Sequence, residues 1–129
     1  MPQTEEMSVE DYRALAGRSK YGNKKIKIDG YTFDSLAEAE RYKQLRLLEQ
    51  AGAISALRLQ PRYELQPAFT DNNGVRHRSI VYVADFEYSE SGLQFTEDVK
   101  GKPTKDYIIK KKLFLYKYVS LMFREIKAK

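Results

Sequence analysis

Two runs of the chain, Ile80-Val-Tyr-Val-Ala-Asp85 and Phe95-Thr-Glu-Asp-Val-Lys100-Gly101, do most to narrow what it can fold into. Both are rich in β-branched and aromatic residues, and Ser89-Glu-Ser-Gly92 between them is a turn signal, so they read as adjoining strands. Paired as a hairpin, they bring Asp85, Asp98 and Lys100 to one edge. Period-two alternation sets Asp98 and Lys100 on one face of their strand and Phe95, Glu97 and Val99 on the other.

The neighbouring sequence extends the sheet. Tyr63 to Phe69 reads as a strand, with Pro67 assigning it to an edge or a bulge. Asp71-Asn-Asn-Gly74 is a turn, so residues 62–69 and about 77–88 are expected to pair antiparallel. With the strand from Leu93 to Lys100 they form a three-stranded meander. Ile54 to Leu59, closed by Gln60-Pro61, is a further short strand or extended link.

Upstream, residues 1–19 read as a polar arm with one short helix from Val9 to Ala16. Lys25-Ile-Lys-Ile28 alternates charged and apolar as an exposed strand does, and Asp29-Gly30 turns the chain back into Tyr31-Thr-Phe33. The product is a small basic hairpin. Ser35-Leu-Ala-Glu38 is a capping box opening a helix to Gln50, and Gly52 stops it. Leu36, Ala39, Tyr42, Leu45 and Leu48 give that helix its apolar face, with Glu38 inside it. Glu38 is either the box partner of Ser35 or a group turned inward for function, and the residues alone favour the cap.

Downstream, Gly101-Lys-Pro-Thr104 breaks the sheet and Thr104 or Asp106 caps a helix from Lys105 to Lys117. Ile109, Leu113 and Tyr116 are its expected apolar stripe. Leu121 to Ile126 reads as a last strand rejoining the sheet, or as a continuation of the helix. Residues 20–129 are thus one domain, which suits a chain of 129 residues.

Composition excludes several chemistries. There is no cysteine, so disulfides, thiolate zinc sites and cysteine nucleophiles are ruled out. His77 is the only histidine, which leaves His-based metal cages and Ser-His-Asp triads without their parts. No apolar run approaches the roughly 20 residues of a membrane span, and the acidic start does not read as a signal peptide, so a cytoplasmic protein is expected. Net charge is +5, but residues 100–129 hold ten Lys/Arg against Asp106 and Glu125, a net of +8, leaving −3 for residues 1–99. A basic third beside an acidic middle suits a polyanion held by one part and a cation by the other. Ten tyrosines fall mostly at core spacings and read as packing.

The triplet (D/E)-x-K carries no weight alone. About two are expected by chance in this composition, and two occur, at Asp98-Val-Lys100 and Glu125-Ile-Lys127. Placement matters more. Asp85 lies within reach of Asp98 across the turn, and two carboxylates with water and phosphate oxygens suit Mg²⁺. Such a cation assists phosphodiester displacement, and Lys100 would orient water or neutralise the phosphate. The competing reading is a sheet edge with ordinary ion pairs.

Taken in order, Ser35-x-x-Glu38-Ala39, Gln60-Pro61, Tyr82-Val-Ala-Asp85-Phe86 and Glu97-Asp-Val-Lys-Gly101 resemble the PD-(D/E)XK nucleases. The closer likeness is to a small family of phage and prophage endonuclease-like proteins known as a domain of unknown function. Lys110-Lys-Lys112-Leu113 resembles that family too, and the likeness spans roughly residues 20–126. It implies an α/β (α+β) fold with a restriction-endonuclease-like core, a mixed central sheet flanked by helices. It also implies Asp85 and Asp98 as ligands of Mg²⁺ or Mn²⁺, Lys100 as the catalytic lysine, Glu38 as a further acidic member and Gln60 as a residue lining the site. The family's proline before the first aspartate is replaced here by Ala84.

The function implied is a metal-dependent DNA endonuclease in phage or prophage DNA metabolism. It would select branched DNA such as a Holliday junction and act as a homodimer. Lys24, Lys25, Arg76, Arg78, Lys102, Lys105, Lys110 and Lys111 are the basic residues expected against DNA. The alternatives are a non-catalytic nucleic-acid-binding protein on the same scaffold, or a structural or partner-binding phage protein.

Overall fold

A computed structural model describes residues 25–128. The 1–19 arm, its expected helix and Lys24 lie outside the described residues. In chain order the elements are β1 (Ile26–Ile28), β2 (Tyr31–Phe33), helix α1 (Leu36–Gln50), β3 (Ser55–Leu59), β4 (Arg62–Gln66), β5 (Phe69–Thr70) and β6 (Arg76–His77), followed by β7 (Ile80–Val83), β8 (Phe86–Glu90), β9 (Leu93–Lys100), helix α2 (Lys105–Lys117) and β10 (Met122–Lys127). The fold is mixed α+β. Its main sheet runs β10-β9-β8-β3, with β10 parallel to β9 and the other pairs antiparallel. No helix among the described residues is long and apolar enough to cross a membrane.

Local chemistry fixes most boundaries. Asp29 and Gly30 both take positive φ, 53° and 83°, as a two-residue turn between β1 and β2 requires. The alternation in this hairpin is as expected, but its apolar side is not peripheral. Ile26, Ile28 and Phe33 are buried in the main core, and only the lysine side meets solvent. Ser35 Oγ accepts from the Glu38 amide at 3.1 Å to cap α1, and Gly52, at φ 81°, follows its C-terminus. Ala39, Tyr42 and Leu45 are the buried residues of α1. Leu48 is exposed, so the apolar face is narrower than expected.

The expected meander is corrected by a break in its middle strand. Residues 80–83 pair with β4, whereas 86–90 pair with β9 and β3. The proposed hairpin between 80–85 and 95–100 therefore does not form; β8 is the strand beside β9. The β8–β9 turn is tight, with Ser91 at φ 53° and Gly92 at φ 79° between Glu90 and Leu93. Leu59 faces Phe86 and Arg62 faces Val83, so β3–β8 and β4–β7 keep one register across the break. They are two halves of a long hairpin kinked at Gln60-Pro61 and Ala84-Asp85.

The cause of the kink is local. Pro61 has no N–H to give to the ladder, and Gln60 sits in the left-handed region at φ 51°. β4 ends before Pro67, and Asp71 closes the β5–β6 turn by accepting from the Asn73 and Val75 amides.

The kink divides the core. The larger cluster packs α1 and the β1–β2 hairpin on the main sheet through Tyr42, Leu45, Phe86, Tyr88, Phe95 and Val99. The smaller one packs α2 on β4 and β7 through Tyr63, Tyr82, Ala84, Tyr107 and Phe114. The expected stripe of α2 is corrected here. Thr104 caps the helix as foreseen, but Tyr107 and Phe114 are its buried residues, while Ile109, Leu113 and Tyr116 face out. Two large rings seven residues apart bury more surface than the Ile/Leu stripe. Burying a side chain such as Phe114 contributes about 1.5–3 kcal/mol. α2 is the crossover that a parallel β9–β10 pair needs, and residues 122–127 are the strand alternative, not helix.

Candidate active site

The kink delivers Asp85 to the main sheet. The Ala84 amide still bonds back to Pro61 O at 3.1 Å, but the next amide, that of Asp85, turns to Glu97 O on β9 at 3.1 Å. Gln60 N donates to Asp85 O at 2.9 Å, so the residue is held from both sides. Phe86 faces Glu97, and one further step of that register sets Asp85 opposite Asp98. The two aspartates are thus neighbours as the sequence suggests, but through a different strand pair.

The two residues are cross-strand neighbours, and each is held by further partners. Asp85 Oδ2 also accepts from the Val99 amide at 2.7 Å. Burial, then Glu38, then Asp98 push the Asp85 carboxyl up from an ordinary 3.8 to about 8. Burial also raises Glu38, with Asp34 and Asp98 adding to the shift and Lys100 opposing it. Glu38 is therefore both things the sequence left open. Its amide is held by the Ser35 cap, and its carboxylate faces the acidic cluster. Glu38, Gln60 and Asp85 share the wall of a cavity of about 330 Å³ with Tyr31 and Phe33.

Asp98 is 1% exposed. Its Oδ2 accepts from the Tyr82 hydroxyl, and Lys100 Nζ stands 3.4 Å from its Oδ1. The Lys100 ammonium lies over the Tyr107 ring, 4.5 Å from the centroid. Tyr107 in turn donates to Glu125 on β10 at 2.6 Å, which with Lys111 at 3.0 Å lowers the Glu125 carboxyl. Glu125 is the register partner of Asp98, so three strands contribute an acid at one level.

Tyr82 and Tyr107 are site residues that sequence reasoning assigned to packing. Both rings are core, yet burial and then a bonded carboxylate, Asp98 for Tyr82 and Glu125 for Tyr107, raise both phenols. Both hydroxyls stay protonated donors. Tyr82 shares the Ile80–Val83 strand with no polar neighbour, and nothing local signals its role.

The other face of β9 holds a second acid, and there the charge is closed. Glu97 is 0% exposed and takes both arms of Arg41, at 2.8 and 2.6 Å, together with the Tyr88 hydroxyl. Arg41 lies one helical turn beyond Glu38 on α1. The fork therefore ties the helix that carries Glu38 to the strand that carries Asp98 and Lys100. A bidentate arginine fixes orientation as well as charge.

The basic residues expected at DNA are dispersed. Lys102 is exposed between β9 and α2, and Lys105 is exposed at the first position of α2. Lys25 pairs with Asp34, Arg76 reaches Thr70 Oγ1 at 3.3 Å, and Lys111 is bound to Glu125. His77 bonds Asp71 at 2.8 Å and stacks on Phe69, which makes it part of the β5–β6 turn. Arg78 and Lys110 line a groove on the outer side of α2.

Among the described residues, no three His, Cys, Asp or Glu side chains are set to hold a metal ion as they stand. The donor chemistry nevertheless fits a hard cation. Two carboxyls stand at cross-strand positions, Glu38 raises the proton affinity of Asp85, and Mg²⁺ is commonly held by one or two carboxylates with water completing its shell.

Over residues 18–129 the chain matches the family described as protein of unknown function (DUF1064), and it belongs to that family. It matches no curated protein.

Proposed function

We propose that this chain is a metal-dependent DNA endonuclease on a PD-(D/E)XK, restriction-endonuclease-like core. One observation carries the reading: Asp85 and Asp98 meet across β8 and β9 with Lys100 beside them, at the point where the long hairpin kinks. Asp85 and Asp98 would hold Mg²⁺ or Mn²⁺, with Glu38 as the third acid. A bound cation of this kind activates water and stabilises the charge that develops on a phosphodiester.

The chain's own groups set the stage for that chemistry. Asp85 would have to be ionised, its proton passed to solvent, to hold the cation. Tyr82 fixes the rotamer of Asp98 by donating to Oδ2, which leaves Oδ1 to the ligand. Lys100, now on Oδ1, is the cation nearest the acids and swings to phosphate oxygen or to the attacking water. Gln60, on the cavity wall, offers an amide to the same water or phosphate.

DNA is the substrate class that the +8 of residues 100–129 favours. One domain of this size suits branched or junction DNA in phage recombination better than a long sequence, and a homodimer would supply two cuts. A second reading has an observation of its own. Asp98 is closed off by Tyr82 and Lys100, as it would be in a nucleic-acid-binding protein that keeps the scaffold without the chemistry.

Incubation with branched and linear DNA, with and without Mg²⁺ or Mn²⁺, decides between them. Cutting is expected with the ion alone and is expected to fall by about 10²–10³-fold in Asp98→Asn and in Lys100→Ala. No metal-dependent cutting of any substrate sinks the enzyme, and DNA binding that survives in both variants then favours the scaffold.

A further inference from the structure

The outward stripe of α2 is an apolar feature that packing among the described residues does not use. Ile109 is 58% exposed, Leu113 44% and Tyr116 85%, and they recur at i, i+4 and i+7 on one face. Scattered exposed apolar residues need no explanation, whereas a contiguous stripe marks an interaction surface. This one borders a groove of about 580 Å³ between α2 and β7, whose walls include Arg62, Arg78, Ile80, Ile109, Lys110 and Leu113. The one acid in those walls is Asp106. None of Arg62, Arg78 and Lys110 forms an ion pair with a described residue.

We propose that this groove binds a single-stranded segment of nucleic acid, with phosphates against Arg62, Arg78 and Lys110 and a base stacked on Tyr116. The proposal rests on the nucleic-acid part of the function above and not on cleavage. Cations beside an apolar floor and an exposed ring match a strand whose bases are unstacked. Duplex DNA presents phosphates but keeps its base faces covered. A second copy of this chain fits less well, because a two-fold contact here would set Arg62, Arg78 and Lys110 against their own equivalents.

Position supports the same occupant. Arg62 follows Gln60 by two residues and faces Val83, itself two residues before Asp85. At the other wall, Tyr107 adjoins Asp106 and lies beneath the Lys100 ammonium. Both walls of the groove are thus built from elements that also carry residues around the acidic cluster.

Fluorescence anisotropy with the full chain in EDTA tests this, using a labelled single-stranded oligonucleotide and the corresponding duplex. Tyr116→Ala is expected to weaken single-strand binding about tenfold, with less than about twofold change for duplex. Arg78→Ala with Lys110→Ala should weaken it further and flatten its salt dependence. Tyr116 and Arg78 are exposed and Lys110 is half-buried, and unchanged thermal melting verifies that the variants fold. Single-strand affinity equal to the parent's in these variants overturns the proposal. So does loss of a dimer by light scattering in Tyr116→Ala with binding intact, which assigns the groove to self-association. Because EDTA removes catalysis, binding without any later cutting in Mg²⁺ would sink the nuclease alone and leave the groove standing.

Discussion

Glu97 and Asp98 are adjacent residues on one strand, both buried and both acidic, and their surroundings differ. Glu97 faces α1 and the larger core, where Arg41 and Tyr88 satisfy its oxygens. Asp98 faces the smaller core, where Tyr82 donates to it, Lys100 stands at 3.4 Å, and the Asp85 residue lies at the cross-strand position. A single step of the pleat thus separates a closed ion pair from an excess of acid. Burial of charge is tolerated at Glu97 because it is neutralised in place. At Asp85 it is eased because burial and the neighbouring acids raise the carboxyl toward its neutral form.

The contrast can be broken most severely at Arg41. Arg41→Met leaves Glu97 fully buried without its counter-charge, and urea denaturation should register a loss of about 3–5 kcal/mol. Asp98→Asn, one residue along, removes acid from an acidic cluster and should leave the melting temperature unchanged or higher. Equal losses in the two variants would erase the distinction between the faces.

A smaller effect comes from pH. The folded pKa of Asp85, about 8, lies above its ordinary 3.8. Its contribution is therefore fully present below about pH 4 and is lost as pH rises through about 8. Melting in EDTA should fall by on the order of 5 °C between pH 6 and pH 9. Mg²⁺ should reverse part of that fall in the parent, and Asp85→Asn should flatten the slope. A melting temperature independent of pH in the parent would mean that Asp85 is already ionised.

The least effect is expected at Gln60, whose left-handed backbone is strain that glycine does not feel. Gln60→Gly should stabilise by about 0.5 kcal/mol at most, since glycine also gains freedom in the unfolded chain. A loss instead would show that the Gln60 side chain holds the kink.

How much of this was legible follows from range. Ser35, Thr104, Gly52 and Asp29-Gly30 act on neighbours within a few residues, and the elements they delimit stand where the sequence places them. The break at Asp85 was not legible. Val81, Tyr82, Val83 and Ala84 run apolar straight into it, and its cause lies twenty-odd residues earlier, at Gln60-Pro61. The buried face of α2 was missed because apolar residues wrap most of that helix, so periodicity alone could not say which stripe meets β4 and β7. The nearness of Asp85 to Asp98 was legible, although through a strand pairing that does not form. Arg41, Tyr82 and Tyr107 carry no motif, and each acquires its role only from a partner far along the chain.

The parallel pairing of β10 with β9 also has a consequence in time. During synthesis, β9 emerges with β8 beside it, but its other edge stays open until α2 has been made and β10 returns. Until then Tyr107 lacks Glu125, and Lys100 lacks the ring that Tyr107 holds beneath it. The surroundings of Lys100 and Asp98 therefore depend on the last strand of the chain order, well after both aspartates have been made.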